Sequence, residues 1–189
     1  MTSLQDRCGF GAVRQVGYLC TDMHARIHAW QEQLGVGPWT VIRNVTLHCE
    51  YRGEPSRPVI DVGLAYRGDL QIELIQPRNE APSPYREPLQ RGITGVHHIA
   101  HLCDDIDADV ERALASGMRM VCDIRQPAGD RYVYLDSAAL GDGVLIELLD
   151  NNAMQQAMFR DGIAAARAWD GKPGIVEVDY AALQGGVPA

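Results

Sequence analysis

The sequence predicts an α+β fold built from two β-α-β-β-β modules and followed by a helical C-terminal tail. Three observations favour this fold. A strand-like stretch that begins at residue 95 has a counterpart that begins at residue 11, a second pair of similar stretches ends at residues 74 and 148, and the same order of predicted elements lies between them in each half. Because internal repeats mark duplicated structural units, the two halves are expected to fold alike.

Each module opens with an apolar strand that ends in an acidic turn. The strands are predicted over 11–20 and 95–103 from their β-branched, aromatic and aliphatic residues. Their alignment pairs His98 with Gln15, Cys103 with Cys20 and Asp105 with Asp22.

A helix follows each opening strand. The first is predicted over 23–34 and the second over about 105–116, because apolar residues recur at helical spacing in both. Asp22 and either Asp105 or Asp107 are suitable N-caps, and a glycine stands at the stop position after each helix.

Three more strands complete each module. They are predicted over 39–51, 59–66 and 70–76 in the first half and over 118–124, 131–135 and 143–149 in the second. The last strands have similar sequences, which place Glu73 and Glu147 at equivalent positions.

The repeat also divides the chain. We expect an N-terminal arm over 1–9, the first module over 10–76, a linker over 77–93, the second module over 94–150, and a C-terminal helix and tail over 151–189. Pro82, Pro84 and Pro88 among polar residues predict an extended, partly ordered linker. The tail is predicted to hold a helix over 152–169 and a short strand over 175–180.

The composition excludes several classes of protein. The net charge is -8 at pH 7 and lysines and arginines form no cluster, which argues against a nucleic-acid partner. No apolar run approaches the roughly 18 residues of a membrane span, and the N-terminus lacks a signal-peptide core. The five cysteines are scattered without C-x-x-C spacing. We therefore expect a reduced, cytoplasmic protein without a membrane partner.

Glu73 and Glu147 are the first candidates for chemistry. Each stands between two aliphatic residues. Because side chains alternate across a strand, the aliphatic residues are expected to face the helices and the glutamates the opposite, concave side. A carboxylate on the inner face of an apolar strand is costly unless it is paired or binds a metal. The alternative interpretation is a half-buried carboxylate paired with Arg43 or Arg131.

The opening strands add one potential ligand each, Gln15 and His98. With Glu73 and Glu147 they form a nitrogen and oxygen set that suits a divalent ion. Alone, His98 would be interpreted as a strand histidine satisfied by the backbone, and Gln15 as a solvated amide. The equivalence of the four positions favours the metal site.

Three further residues are candidate substrate-binding residues. His48 and Glu50 alternate on one predicted strand, and Tyr134 lies on another. Ordinary amphipathic strands explain these positions equally well. By the same alternation, His97 is expected on the face opposite His98, in a structural role.

The paired modules, with an H-x-x-x-x-x-D opening at His98 and a G-x-x-I-E-L close at Gly143, resemble the vicinal oxygen chelate superfamily, which includes glyoxalase I, methylmalonyl-CoA epimerase, extradiol dioxygenases and bleomycin-resistance proteins. The resemblance covers residues 10–150. It implies a glyoxalase-like fold, in which two βαβββ modules form a curled mixed sheet around a central metal site, with the C-terminal helical tail outside it.

The resemblance also implies the site. The superfamily's four metal positions fall on Gln15, Glu73, His98 and Glu147, a set similar to that of zinc-type glyoxalase I. The sequence around 34–39, 95–100 and 146–149 is closer to methylmalonyl-CoA epimerase, which has histidine and glutamine at the first two metal positions. Extradiol cleavage is disfavoured because its iron needs two histidines and a carboxylate, and only His98 is suitably placed.

Two functions follow as expectations. The first is an isomerase, epimerase or lyase that depends on a divalent ion (Zn, Ni, Co, Mn or Mg), with Glu147 and Glu73 as catalytic residues that move a proton next to a carbonyl. Its substrate would be a small carbonyl compound or an acyl thioester. The alternative is a non-catalytic small-molecule binder of the bleomycin-resistance type. A homodimer is expected in either case.

Overall fold

The computed structural model describes residues 9–141 and 143–184. Nearly all of the expected N-terminal arm, and the last five residues, lie outside this part of the chain. The strands are β1 (Val13–Leu19), β2 (Trp39–Thr46), β3 (Cys49–Tyr51), β4 (Glu54–Ser56), β5 (Val59–Arg67), β6 (Leu70–Pro77), β7 (Gly95–Cys103), β8 (Arg119–Arg125), β9 (Arg131–Asp136), β10 (Leu145–Asp150) and β11 (Ile175–Asp179). The helices are α1 (Met23–Leu34), α2 (Arg86–Gln90), α3 (Ile106–Ala115), α4 (Ala153–Ala168) and α5 (Tyr180–Gln184).

The described strands form a single mixed sheet in which the strand order of the second half reverses that of the first. Its order is β11-β2-β5-β6-β1-β7-β10-β9-β8-β3-β4. The first half contributes β2-β5-β6-β1 and the second β7-β10-β9-β8, so the two opening strands meet at the centre and pair antiparallel. The predicted fold class, a curled mixed sheet of two β-α-β-β-β units, is confirmed.

The sheet curls until its two ends come close together. Only Leu47 and His48 separate β2 from β3, yet these strands lie near opposite ends of the strand order. Gln126, just after β8, bridges the gap: its Nε2 donates to the Thr46 carbonyl at 3.1 Å and its Oε1 accepts from the His48 amide at 3.3 Å. The long strand predicted over 39–51 is therefore two strands that belong to different halves.

Helices α1 and α3 cover the convex face, one for each half. Asp22 and Asp105 cap them by accepting from the amides of Ala25 and Ala108 at 3.0 Å. The aliphatic neighbours of the two candidate glutamates pack into the cores beneath these helices: Ile72 and Leu74 under α1, and Ile146 and Leu148 under α3. The glutamates are thereby turned to the concave side.

The concave side holds a third core, to which the segments outside the sheet contribute. The segment between the two halves, expected to be extended, instead forms α2 and buries Ser83 and Tyr85. Helix α4 adds Met158 to the same core. Strand β11 pairs in parallel with β2 at one end of the sheet. None of the described helices combines the length and apolar composition that a bilayer crossing requires.

Candidate metal centre

Four side chains converge where β1 and β7 meet, at the pseudo-twofold centre of the sheet. The Nε2 atom of His98 lies 3.1 Å from Gln15 Oε1, 3.3 Å from Glu73 Oε2 and 3.0 Å from Glu147 Oε2. The histidine and the two carboxylates offer ligand atoms that all lie within 4.8 Å of one another. The structure therefore brings together all four residues that were predicted as metal ligands.

Small residues between the ligands make this convergence possible. An added Cβ at Gly17 would overlap atoms of the His98 ring, so the ring passes over β1 in the space that this glycine leaves. In the equivalent place on β7 stands Ala100, which is fully buried. Two cross-strand rows result, Glu73–Gly17–His98 and Gln15–Ala100–Glu147.

A β-bulge in β7 places two successive histidines side by side. Gly17 pairs with His98 but the next residue, Tyr18, pairs with Val96, so His97 is the extra residue. A bulge interrupts the alternation of side chains. The Nδ1 atoms of His97 and His98 consequently lie 2.9 Å apart, and the expectation that His97 faces the opposite side is corrected.

The hydrogen bonds of His97 determine which nitrogen of His98 faces the carboxylates. The Nε2 atom of His97 lies 3.0 Å from the carbonyl oxygen of Pro84, which can only accept, so Nε2 carries the proton. Burial, and then the nearby charge of His98, lower the pKa of His97 to about 3 and keep it neutral, so its Nδ1 is an acceptor. His98 therefore donates through Nδ1–H and presents Nε2 to the three oxygens.

The two carboxylates raise the pKa of the histidine that lies between them. Burial alone would lower the pKa of His98, but Glu147 and Glu73 outweigh it and raise the pKa to about 10. Burial also raises the pKa of Glu73, against the opposing effect of His98. A positive charge on His98 thus offsets part of the negative charge of the carboxylates when no other cation does.

The donor set fits a divalent metal ion. One Nε2–H cannot serve three oxygens, and it is in hydrogen-bond geometry with Gln15 Oε1. Glu147 Oε2 is buried and has no hydrogen-bond partner among the described residues, although it is 3.0 Å from His98 Nε2. An unpartnered buried carboxylate oxygen is costly. A cation would satisfy it, and one imidazole nitrogen with three oxygens suits zinc and similar ions.

The three predicted substrate-binding residues have different locations. Tyr134 is buried beside the centre, with its ring 5.3 Å from that of His98, and its hydroxyl accepts from Tyr85 at 3.1 Å. Glu50 instead has an exposed side chain on β3, which three strands (β10, β9 and β8) separate from β7 in the sheet. His48 lies between strands, with Nδ1 3.1 Å from Arg57. The structure thus brings only Tyr134 to the four ligands, because the strand expected to carry the other two breaks at residue 47.

A cavity of about 460 Å³ lies at the end of the β1–β7 junction, under α4. The guanidinium of Arg14 lies 5.0 Å from the centre of the Phe159 ring at this place. The cavity is lined by Ala12, Arg14, Leu102, Asp104, Asn151, Gln156, Phe159, Arg160 and Ile163. Its wall is therefore shared between the two opening strands and the C-terminal helix.

Comparison with solved structures gives the same fold. Methylmalonyl-CoA epimerase from Mycobacterium tuberculosis is 26% identical over 77% of this chain and 91% of its own, with a TM-score of 0.51. A variant of the Streptomyces coelicolor epimerase in complex with 2-nitronate-propionyl-CoA is 24% identical over 75% and 95%, with a TM-score of 0.50. A hypothetical protein from Bacillus halodurans is 20% identical over 75% and 94%, with a TM-score of 0.55.

The sequence itself identifies the family. No curated protein matches the chain. Residues 14–135, more than half of the chain, match the model described as the Glyoxalase/Bleomycin resistance protein/Dioxygenase superfamily. The resemblance inferred from the duplicated motifs is confirmed, and the chain belongs to this superfamily.

Proposed function

We propose that this protein is a divalent-metal-dependent isomerase or epimerase that moves a proton next to a carbonyl group. The convergence of Gln15, Glu73, His98 and Glu147 on one point, with a buried carboxylate oxygen left without a hydrogen bond there, carries the proposal. A lyase of the glyoxalase type uses the same proton transfer, and the proposal includes it.

The residues divide into those that hold an ion and those that also move protons. Gln15 and His98 would hold the ion together with the two glutamates. Bound there, a divalent ion supplies a Lewis acid that stabilises negative charge on a carbonyl oxygen. Tyr134 and Tyr85, both buried, exclude water from one side of the centre. Burial raises the pKa of both hydroxyls well above the usual value, so they stay protonated.

Two carboxylates on opposite sides of the centre suit transfer between two faces of a substrate. Glu73 comes from β6 in the first half and Glu147 from β10 in the second. The Glu73 side chain is 14% exposed against 5% for Glu147, so it is the more accessible of the two to a substrate proton. One carboxylate would remove the proton, and the other would return a proton to the opposite face.

The substrate class proposed is an acyl thioester or an α-hydroxy ketone. Methylmalonyl-CoA epimerases are among the structural relatives, and the M. tuberculosis enzyme is 26% identical. The similarity supports this chemistry in general terms, and the donor set with two glutamates supports proton transfer next to a carbonyl.

The test measures bound metal first and proton transfer second. We expect about one divalent ion per chain in the purified protein, and loss of the ion in Glu147→Ala. The control is Glu111→Gln, an exposed glutamate on α3, which should keep it. With the ion bound, NMR in deuterium oxide should show exchange of the α-proton in methylmalonyl-CoA or in an α-hydroxy ketone. Glu147→Gln keeps an oxygen ligand but cannot carry a proton, so it should retain some metal and lose exchange.

The aromatic rings around the centre favour a second function, the binding of a planar ligand without catalysis. The rings of Tyr85 and Tyr134 lie 5.8 Å apart, edge to face, beside His97 and His98. The same measurements separate the two functions. Protein that contains no metal and takes none up from a panel of divalent ions contradicts the enzyme and favours the binder.

A further inference from the structure

We propose that helix α4 contributes to the metal centre by orienting the amide of Gln15, so that the amide oxygen faces the ion. The connection is a chain of hydrogen bonds from the Met158 carbonyl through Tyr66 and Gln71 to Gln15. Tyr66 and Gln71 are then positioning residues. The inference rests on the proposed function, since it concerns a ligand of the proposed ion.

The direction of the chain follows from its outer end. The backbone carbonyl of Met158 can only accept, so the hydroxyl of Tyr66 donates to it, at 3.1 Å. The Tyr66 oxygen then accepts from Nε2 of Gln71. Gln71 has only Oε1 left for its other neighbour, and this oxygen accepts from Nε2 of Gln15 at 2.6 Å.

The consequence for Gln15 is a single allowed orientation of its amide. Because Nε2 is committed to Gln71, Oε1 must face the centre, where it lies 3.1 Å from His98 Nε2. The orientation matters because an amide oxygen binds a metal ion, whereas the amide NH₂ has no free lone pair. Gln15 and Gln71 are 4% and 0% exposed, so water does not compete for these bonds.

The packing around Tyr66 ties the chain to α4 in particular. The ring of Tyr66 meets Phe159 of α4 edge to face, with centroids 5.6 Å apart. It also lies against Gly162, where any side chain would overlap the ring. A glycine inside a helix is usually unfavourable, and here it gives the tyrosine room. Burial raises the pKa of Tyr66 to about 12, so its hydroxyl remains a donor.

Helix α4 lies beyond the residues that match the family model, which end at 135. The orientation of a ligand on β1 therefore depends on a segment outside the matched region. Groups that orient a metal ligand typically contribute 10–100-fold to metal affinity.

The first experiment removes one hydroxyl. Tyr66→Phe breaks the bonds to Met158 and Gln71 but keeps the ring that packs on α4. Titration with Co²⁺, followed by visible absorption and competition with Zn²⁺, should give an affinity weaker by about tenfold. The matched control is Tyr18→Phe, which removes a tyrosine hydroxyl from β1 on a side chain that packs against Trp30. Its affinity should equal that of the wild type.

The second experiment separates orientation from general stability. In a Gln15→Leu background there is no amide to orient, so adding Tyr66→Phe should change Co²⁺ affinity by less than about twofold. If Tyr66→Phe weakens binding equally in both backgrounds, the tyrosine acts only through the fold and the inference is overturned. Thermal unfolding of the metal-free variants shows whether each one folds.

The two proposals fail in different ways. If the wild type binds neither Co²⁺ nor Zn²⁺, the proposed function fails, and the inference with it. If the wild type binds these ions and Tyr66→Phe binds them equally well, the proposed function stands and the role of α4 is refuted.

Discussion

The two halves of the candidate metal centre have the same backbone plan but different residues and different supports. The second half supplies His98 and Glu147, whose side chains are 0% and 5% exposed. The first half supplies Gln15 and the more accessible Glu73, 14% exposed. The duplicated topology determines the positions from which a side chain can reach the centre. The local sequence determines which residue occupies each position and which neighbours orient it.

The supports differ just as clearly. His98 is oriented by His97, which in turn donates to Pro84 in the segment between the halves. Gln15 is oriented by Gln71, at the far end of the connection to α4. Segments outside the two repeats thus hold both ligands, one from before β7 and one from after β10.

The largest effect should come from the residues between the ligands. Gly17→Ala places a methyl group where the His98 ring lies, whereas Ala100→Gly in the other half only removes one. We expect Gly17→Ala to lower the free energy of unfolding by about 1–3 kcal/mol and to abolish metal binding. Ala100→Gly should cost about 0.5–1 kcal/mol and keep the ion. Chemical denaturation and metal analysis measure both. Equal behaviour of the two variants would show that the halves are interchangeable here.

A smaller difference should separate the two carboxylates. Glu147 is the more buried of the two and its Oε2 lies 3.0 Å from His98 Nε2, against 3.3 Å for Glu73. Loss of a ligand should exceed the 10–100-fold cost of losing an outer support, so we expect at least about 100-fold weaker Zn²⁺ binding for Glu147→Ala. Glu73→Ala should weaken Zn²⁺ binding less, because water can occupy the position of the missing carboxylate. Calorimetric titration decides the order, and a greater loss for Glu73→Ala would contradict it.

The smallest effect should come from the support of His98. His97→Leu removes the acceptor of the His98 Nδ1–H, which frees the ring to change tautomer. We expect Zn²⁺ binding to weaken by about tenfold, and ¹⁵N chemical shifts of the zinc-bound protein, in which His98 is neutral, to show mixed tautomers of this ring. His101→Leu is the control, since His101 lies on the same strand and contacts the Gly11 carbonyl instead. A single unchanged tautomer in His97→Leu would show that His97 does not orient the ring.

Much of the fold could be predicted from the sequence, because the repeat gives two independent predictions of each element, one from each half. The alternation that placed Glu73 and Glu147 on the concave face depends only on regular strands, and β6 and β10 are regular around these residues. The same reasoning failed for His97, where a bulge breaks the alternation, and for Glu50, which follows a break in the strand. Neither irregularity has a signal in the sequence that we could identify.

Two residues of the centre had signals that the sequence analysis did not use. A glycine inside an apolar strand often marks a close approach of another group, and Gly17 is such a residue. Gln71 stands two residues before Glu73, so alternation alone places it on the same face. The contribution of α4 could not be predicted from the sequence, because Tyr66 and Met158 are 92 residues apart and only the tertiary structure brings them into contact.

The outermost strands of the sheet have a consequence for self-assembly. An unpaired strand invites another chain to extend the ladder, and proteins discourage this with charge and with proline. At one end β11 occupies the pairing groups of β2 and carries Glu177 and Asp179. At the other end β4 is three residues long, with Pro55 in the middle. Neither of the described edge strands is therefore a long, neutral strand on which a second copy could polymerise, and we expect a homodimer to form through contacts between faces rather than by continuation of the ladder.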